Sequence, residues 1–353
     1  MNNPLFSIGI TTYNRKELLK QTLASVLSQT FPDFEVIVGN DFTGSPVSAG
    51  SLGISDPRVR FINNASNLGE AANMNSLLFL SRGRYFTWQF DDDLYDHNFL
   101  KLAHEALEFY NFPECVFTAY KSIGSGFKGF TGDLTAANRR LYRGKEFLKL
   151  YLKGKIKTMG CTGLYRCDLL KKQGGVTKLA SGPIALYSEY LLLLRSGMFE
   201  NIAYLDAPLV FYRSHELSWG CSNAQAQEYK DAGLNLISES LVILANPLLK
   251  DDFEVNFVSL LKLCAGDFLR KLYLKDKCVK IRGLIRYFSL LGNKIEPLKG
   301  SNIYLKARSA LAKTLFSAFW VFIKLNLKSI LPGPLAAKIM AIRRRLNPAD
   351  NGS

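Results

Sequence analysis

Apolar positions in the first 120 residues follow two alternating periods. Four runs rich in β-branched and aromatic residues are typical of strands, and they cover residues 5–13, 34–40, 58–64 and 84–90. Between them, segments 16–29 and 70–82 repeat apolar residues every three or four positions, as Leu19, Leu23 and Val26 show. Strands that alternate with amphipathic helices are typical of β-α-β units. The pattern predicts an α/β fold, with a Rossmann-like and mostly parallel sheet flanked by helices.

Charge is unevenly distributed along the chain, whose formal net charge is +15. Residues 1–261 contain 26 Lys or Arg and 26 Asp or Glu, whereas residues 262–353 contain 19 and 4. A neutral body with a cationic tail indicates that the tail contacts an anionic partner, such as a membrane surface or a nucleic acid.

The cationic tail combines basic residues with large apolar ones. Segments 309–331 and 335–346 set aromatic and aliphatic side chains against lysines and arginines, as a helix that lies in the membrane interface does. An ordinary amphipathic helix packed on the body is the alternative. Nucleic acid fits less well, because the basic residues alternate with long aliphatic ones rather than with exposed stacking aromatics. We therefore expect a membrane surface and no nucleic acid as partner.

Cysteine usage and the N-terminus indicate the compartment. The six cysteines form no C-x-x-C pair, and no histidine lies at a zinc-type spacing, so reduced thiols are expected. The first residues have no basic segment followed by a long apolar core, which predicts no cleaved signal peptide. No run approaches the roughly 18 uncharged apolar residues that a spanning helix needs. A cytoplasmic protein, associated peripherally with the inner face of the plasma membrane, is predicted.

Three consecutive carboxylates, residues 91–93, directly follow the strand-like run 84–90. In open α/β sheets ligands bind beyond the carboxyl ends of the strands, and segments 11–14 and 40–43 also follow strand-like runs. Three like charges repel one another, and a divalent cation removes that repulsion most simply. Oxygen ligands suit Mg²⁺ or Mn²⁺. A solvated acidic turn or a helix cap is the alternative explanation.

The stretch "SIGITTYNRKELLKQTLASVLSQTFPDFEVIVGND", together with "NLGEAANMN", "RGRYFTWQFDDD" and "YRSHELS", resembles the family-2 glycosyltransferases in order and spacing. The resemblance covers roughly residues 5–218 and implies an inverting enzyme of the GT-A fold that uses a nucleotide-diphosphate sugar. It implies a GT-A domain over 1–221, with a nucleotide-sugar half of about 1–122 and an acceptor half of about 123–221. A helical extension (222–300) and a basic, amphipathic, membrane-associating tail (301–353) are expected to follow.

The resemblance assigns eight residues to the nucleotide-sugar donor, namely Thr11, Tyr13, Asn14, Asp41, Asn67, Asn73, Asp91 and Arg213. Thr11 and Tyr13 match the base pocket, although they also suit the end of a core strand. Asp41 matches the acid that accepts a hydrogen bond from the base, with uracil as the first choice. The chain departs from the family at Asn40, which replaces an acid, and at Phe42, which replaces a small residue.

The resemblance also implies the metal ligands and the base. Asp92 matches the metal ligand, Asp93 a second ligand or a helix cap, and His215 a metal ligand, a donor to the leaving group or a packing residue. Mn²⁺ or Mg²⁺ is the expected cofactor. Glu189 matches the catalytic base that deprotonates the acceptor. It is one methylene longer than the family's aspartate, and a plain helix-start glutamate is the alternative.

Together these features predict a metal-dependent inverting glycosyltransferase that moves a sugar from a UDP-sugar to a glycan acceptor, lipid-linked, in surface polysaccharide or O-antigen biosynthesis. A nucleotidyltransferase is one alternative, but "TTYNRKELL" lacks the Gly-rich basic loop expected after its first strand. A catalytically degenerate, membrane-bound scaffold is the other. Asn40 and Glu189 are the departures that favour it.

Overall fold

The computed structural model describes residues 3–124, 134, 136–215, 226–275 and 281–330 of the chain. The chain divides into two compact units, Met1–Leu260 and Leu261–Ser353. The predicted boundary at 221–222 lies outside the described residues, whereas that at 300–301 falls in the turn before the last described helix. Both boundaries stay predictions.

One mixed sheet of nine strands organises the described part of the first unit. The strands are β1 Phe6–Thr12, β2 Phe34–Asn40, β3 Val59–Asn63, β4 Tyr85–Phe90, β5 Leu94–Tyr95, β6 Cys115–Gly124, β7 Arg139–Tyr142, β8 Leu164–Arg166 and β9 Ile202–Ser214. Their order is β3-β2-β1-β4-β8-β6-β9-β5, with β7 beside β9. The pairs within β1 to β4 and the pair of β6 with β9 are parallel. The predicted mostly parallel sheet is confirmed, and β8 enters it antiparallel between β4 and β6.

Helices flank this sheet, as the pattern predicts. They are α1 Lys16–Leu27, α2 Ala49–Leu52, α3 Glu70–Leu80, α4 Phe99–Phe109, α5 Gly144–Leu152, α6 Cys167–Lys172 and α7 Ser188–Ser196; α8 Ala226–Leu244 and α9 Phe253–Lys275 follow along the chain. Apolar residues of α1 and α4 pack in one cluster with one face of the sheet, and those of α3, α5 and α6 pack in a second cluster with the other. The first unit is therefore built as helices on both faces of a central sheet.

Strand alternation decides which side chains enter each cluster. Phe6, Ile8 and Ile10 of β1 are fully buried in the cluster that contains Leu19 and Leu23 of α1. Each such side chain contributes about 1.5–3 kcal/mol through its burial. Because both faces of the sheet are buried, the carboxyl ends of β1, β2 and β4 are firmly positioned for the side chains that follow them.

The second unit continues from α9 through α10 (Ile281–Lys294), a 3-10 turn and α11 (Asn302–Ile330). The rings of Phe268 and Tyr287 lie 3.8 Å apart, and the Tyr304 hydroxyl donates to Glu296 at 2.7 Å. On α11, Leu305 and Phe316 are exposed. Among the described residues, no helix has the length and apolar character required to cross a bilayer. Residues 331–353 of the predicted membrane-associating tail lie outside the described residues.

Candidate functional site

Three adjacent parallel strands bring the predicted donor residues to one edge of the sheet. Thr12 at the end of β1 pairs with Asn40 at the end of β2, and Thr11 pairs with Phe90 at the end of β4. A cleft with about 450 Å³ of empty space opens at this edge. The residues that line it are Thr11, Thr12, Tyr13, Arg15, Asp41, Asn67, Gly69, Glu70, Asn73 and Pro183.

Asp91 begins the acidic turn and is completely buried. Its carboxylate accepts a hydrogen bond from the Thr12 hydroxyl at 2.6 Å and two from the Arg15 guanidinium. Burial and the neighbouring charge of Asp92 raise the pKa of Asp91 to about 7, against the opposing effect of Arg15. Asp91 is thus an internal anchor of the turn, braced by β1 and by the start of α1.

Asp92 is the one member of the acidic trio that reaches solvent, with 13% of its side chain exposed. Its Oδ2 atom accepts from Nη1 of Arg15 at 2.8 Å and lies 3.1 Å from Nε2 of His215. The structure therefore brings together Asp92 and His215, which are predicted as metal ligands and lie 123 positions apart.

Asp93 points inward, where one carboxylate oxygen accepts the backbone N–H of Arg213 at 2.9 Å. Its Oδ2 atom is buried and has no hydrogen-bond partner among the described residues. Burial and the charge of Asp92 raise the pKa of Asp93 well above its usual range. The Arg213 guanidinium donates to the Asp92 carbonyl and the Gln21 side chain, so in this structure it braces the acidic turn from within.

A divalent cation fits this turn in part. Asp92 and His215 offer a carboxylate oxygen and an imidazole nitrogen, donors that Mn²⁺ and Mg²⁺ sites use with added water or phosphate oxygens. Within the described residues, no group of three or more His, Cys, Asp or Glu side chains converges to hold a metal ion. A cation at Asp92 would thus draw its remaining ligands from a bound diphosphate or from water.

The predicted base pocket involves the residues that follow β1 and β2. The rings of Tyr13 and Phe42 meet edge to face, with centroids 5.1 Å apart. Asn40 donates through its amide to the carbonyls of Phe42 and Ser45 and to the Asn63 side chain, at 2.9–3.2 Å. A carboxylate cannot donate these hydrogen bonds. The departure from the family's acid at Asn40 is therefore explained by its role in shaping the loop that carries Phe42.

Asp41 lines the cleft and at the same time holds the loop before α3. Its two carboxylate oxygens accept the backbone N–H groups of Leu68 and Gly69, both at 2.8 Å, and the Asn64 amide at 3.0 Å. A carboxylate offers about four acceptor positions. Asp41 therefore retains capacity for about one further hydrogen bond from a ligand.

The remaining predicted donor residues lie around the same cleft. Asn73 is buried and donates to the Gly39 carbonyl at 2.9 Å, while Asn67 is exposed and accepts the Gly69 N–H at 2.9 Å. Asn14 is exposed in the turn between β1 and α1, with a φ of 53°. Asn67 thus holds the turn before α3 and Asn73 ties α3 to β2, and both residues also line the cleft.

Glu189, the predicted base, lies in the first turn of α7. Gly160 lies against its backbone, so closely that a Cβ there would stand 2.2 Å from the Glu189 carbonyl oxygen. Burial raises the pKa of Tyr120, and the charge of Glu189 adds to this rise, which sets the carboxylate near that phenol. Glu189 is not one of the described residues that line the cleft. Of those residues, Pro183 lies closest to Glu189 along the chain.

Sequence reasoning missed Arg15, Thr12 and Glu70. Arg15 contacts both Asp91 and Asp92 and lines the cleft. A cation three residues beyond the end of β1 could have been matched to the acidic turn by charge complementarity. For Glu70 the sequence carries no signal beyond an acid in the first turn of α3, because its partner is Ala185, 115 positions away.

A mixed sheet flanked by helices, with acidic residues and a cleft at the carboxyl ends of its strands, is the arrangement of an α/β domain that binds its ligand at that edge. The model of the family described as "Glycosyl transferase family 2" matches residues 7–174. Over these residues, slightly less than half of the chain, the protein is similar to the family-2 glycosyltransferases.

Two curated relatives from Escherichia coli each match a shorter part of the chain. The putative colanic acid biosynthesis glycosyl transferase WcaA of strain K12 is 36% identical over 108 residues, which are 30% of this chain and 39% of that protein. WfgD, named as a UDP-Glc:alpha-D-GlcNAc-diphosphoundecaprenol beta-1,3-glucosyltransferase, is 28% identical over 102 residues, 29% of this chain and 40% of that one. The chain thus spans about two fifths of the length of these two relatives.

A solved structure extends the likeness in fold over most of the chain. S. aureus TarS, residues 1–349 in complex with UDP-GlcNAc, superimposes with a TM-score of 0.61 and covers 89% of this chain and 90% of that one. Sequence identity is 15%. This likeness, with the family match, shows the predicted GT-A fold.

Proposed function

We propose that the chain is an inverting glycosyltransferase that moves a sugar from a UDP-sugar to a lipid-linked glycan acceptor in surface polysaccharide biosynthesis. The observation that carries the proposal is the adjacency, at one sheet edge, of a cleft lined by Tyr13 and Asp41 and an acidic turn that presents Asp92 beside His215. An aromatic ring and a base acceptor on one side, and charged groups for a diphosphate on the other, suit a nucleotide-diphosphate sugar.

The relatives support the substrate classes in this proposal. The name of WfgD specifies a UDP-glucose donor and a diphosphoundecaprenol-linked acceptor, and the TarS structure contains UDP-GlcNAc. WcaA is named for colanic acid, a polysaccharide. These names describe those proteins, and they favour a UDP-sugar and a lipid-linked glycan as the first substrates to test here.

In the proposed reaction, Tyr13 and Asp41 hold the base of the nucleotide. Asp91, which is fixed by Thr12 and Arg15, keeps the acidic turn in place beside the nucleotide. Asp92 and His215 would hold Mn²⁺ or Mg²⁺, whereas Asp93 is buried and turned inward, so the diphosphate or water would supply the remaining ligands. The cation supplies positive charge that offsets the charge developing on the departing diphosphate.

Glu189 is the proposed base. It removes the proton of the acceptor hydroxyl as that oxygen attacks the anomeric carbon from the face opposite the diphosphate. Attack from that face inverts the anomeric configuration. The position of Glu189, partly buried at the start of α7 in the predicted acceptor half, supports this role.

The proposal includes peripheral attachment to the cytoplasmic face of the plasma membrane through residues 301–353. The basic excess of the last quarter of the chain and the exposed Leu305 and Phe316 of α11 support it. Anionic lipids add about 1 kcal/mol for each nearby basic residue.

The test pairs donor binding with product formation. UDP affinity is measured by calorimetry with and without Mn²⁺, for the wild type, Asp92→Ala and the control Asp56→Ala, which removes a surface ion pair with Arg58. We expect Asp92→Ala to lose the Mn²⁺-dependent part of UDP affinity and Asp56→Ala to keep it. A panel of UDP-sugars with a lipid-linked acceptor extract then identifies the product. Unchanged Mn²⁺-dependent affinity in Asp92→Ala would contradict the assigned metal ligand, and absence of transfer across the panel would contradict the proposed function.

A further inference from the structure

The segment that leads into α7 is tied to α3 at two places. At the first, the Asn75 side chain donates to the Val176 carbonyl and accepts the Val176 N–H, both at 2.8 Å. At the second, the Glu70 N–H donates to the Pro183 carbonyl at 2.7 Å, and the Ala185 N–H donates to Oε2 of Glu70 at 2.7 Å. Both ties are reciprocal pairs of hydrogen bonds, but they lie in different surroundings.

The Glu70 tie lies at the wall of the donor cleft. Gly69, Glu70 and Pro183 all line the cleft. Gly69 has a φ of 80°, and a Cβ at this position would stand 3.3 Å from the Pro183 carbonyl oxygen. A glycine therefore permits the close approach of the two segments. The cleft wall and the segment that leads into α7 meet at this point.

A continuous set of hydrogen bonds runs through this point from the base pocket to α7. Asp41 accepts the N–H groups of Leu68 and Gly69, directly before Glu70. Glu70 accepts the Ala185 N–H. The Ala185 carbonyl in turn accepts the N–H of Ser188, the first residue of α7, at 3.2 Å. Glu189 is the next residue, so each step from base pocket to proposed base is a direct contact.

We propose that Glu70 is a positioning residue that fixes the start of α7, and with it Glu189, relative to the donor bound in the cleft. The inference rests on the proposed function, because it takes Glu189 as the base. Its basis is the placement of the Glu70 side chain: one carboxylate oxygen is engaged by Ala185, while the residue lines the cavity that the donor occupies. A donor that orders residues 68–70 thereby also orders residues 183–189.

The proposal makes a specific chemical demand on residue 70. It needs an acceptor oxygen at the position of Oε2, which glutamine supplies and alanine does not. Glu70→Gln should therefore retain the link, and Glu70→Ala should break it. Asn75→Ala is the matched control, since it removes two hydrogen bonds between the same helix and the same segment. It leaves the Glu70 tie intact.

Two measurements on the full chain test the inference. In the first, transfer kinetics are compared with UDP affinity from calorimetry. Glu70→Ala should lower kcat on the order of 10²-fold, which is the usual effect of a misplacement of about 1 Å, with UDP affinity within about twofold of the wild type. Glu70→Gln should restore kcat to within about threefold. Asn75→Ala should lower the melting temperature but leave kcat within about threefold.

The second measurement is amide hydrogen exchange, which needs no activity. UDP should slow exchange over residues 183–190 in the wild type and in Glu70→Gln, but not in Glu70→Ala, whereas residues 68–69 should be protected in all three. Melting curves verify that each variant is folded. If Glu70→Ala does not fold, Glu70→Gln together with the wild-type exchange pattern still decides the question.

Failure of this inference differs from failure of the proposed function. If the wild type transfers sugar and Glu70→Ala keeps a normal kcat, the positioning role is wrong and the proposed function stands. If Glu70→Gln loses donor affinity, Glu70 contacts the donor through its charge, which also overturns the positioning role. If the wild type neither binds UDP nor transfers sugar, the proposed function is wrong and this inference is overturned with it.

Discussion

Replacement of Arg15 by methionine tests how the acidic turn is held together. The Arg15 side chain is 16% exposed, Asp91 is fully buried and Asp92 is 13% exposed. Methionine keeps the apolar stem and removes the three hydrogen bonds to these two carboxylates. Loss of one partner from a buried ion pair typically costs about 3–5 kcal/mol. The pKa of Asp91 is already raised to about 7, so the carboxylate can take up a proton rather than stay charged without its partner. We therefore expect a loss of stability at the lower end of that range, about 3 kcal/mol.

The assay is hydrogen exchange of the β1 and β4 amides in the presence of a chelator. It reports the stability of the first unit even when the two units unfold separately. Arg15→Lys keeps the charge but loses the planar fork of the guanidinium group, so we expect a loss of stability of about 1 kcal/mol. Arg58→Met is the surface control, because the pair of Arg58 with Asp56 is more exposed and such pairs contribute about 1 kcal/mol or less. If Arg15→Met and Arg58→Met destabilise these strands equally, the acidic turn does not depend on Arg15.

Three further predictions concern the base, the pH dependence and the tail. Glu189→Gln should keep UDP affinity and lower transfer by about 10²–10⁴-fold, while the exposed helix-start control Glu17→Gln stays active; near-normal turnover of Glu189→Gln would remove it as the base. Burial raises the pKa of Glu35, but hydrogen bonds from Ser7 and Arg82 outweigh this and hold it below its usual 4.5. Its stabilisation is therefore present above that pH and is lost as the pH falls through the folded-state pKa. Glu35→Gln should cost about 2 kcal/mol at pH 7 and less at pH 3, as melting curves can check; an equal cost at both pH values would contradict this. Deletion of residues 309–353 should release the protein from anionic liposomes in a sedimentation assay, with neutral liposomes as control, and continued co-sedimentation would indicate another anchor.

Period and residue type were sufficient to predict β1 to β4, α1 and α3 of the donor half. Strand β2 begins and ends where the apolar run does, and α1 buries Leu19, Leu23 and Val26 as their spacing predicts. The strand β8 has only three residues, and a segment that short has no period to recognise. Its place between β4 and β6 is decided by tertiary packing.

The candidate site likewise contains residues that the sequence predicts and residues that it does not. The acids and the aromatic residue of the donor side follow predicted strands, so parallel packing brings them together. Arg15, by contrast, contacts Asp91 and Asp92 across more than 70 positions, and Glu70 reaches Ala185 across 115. Such pairings depend on the three-dimensional path of loops, which the pattern of one sequence does not contain.

The hydrogen bonds of the cleft wall have a consequence for redesign of the donor preference. Asp41 and Asn73 are committed to loop and strand backbone, so exchanging them to admit another nucleotide or sugar would weaken the scaffold together with recognition. Phe42 instead packs edge to face against Tyr13, and Pro183 lines the cleft. An engineer who wants a different donor would begin the library at these two positions.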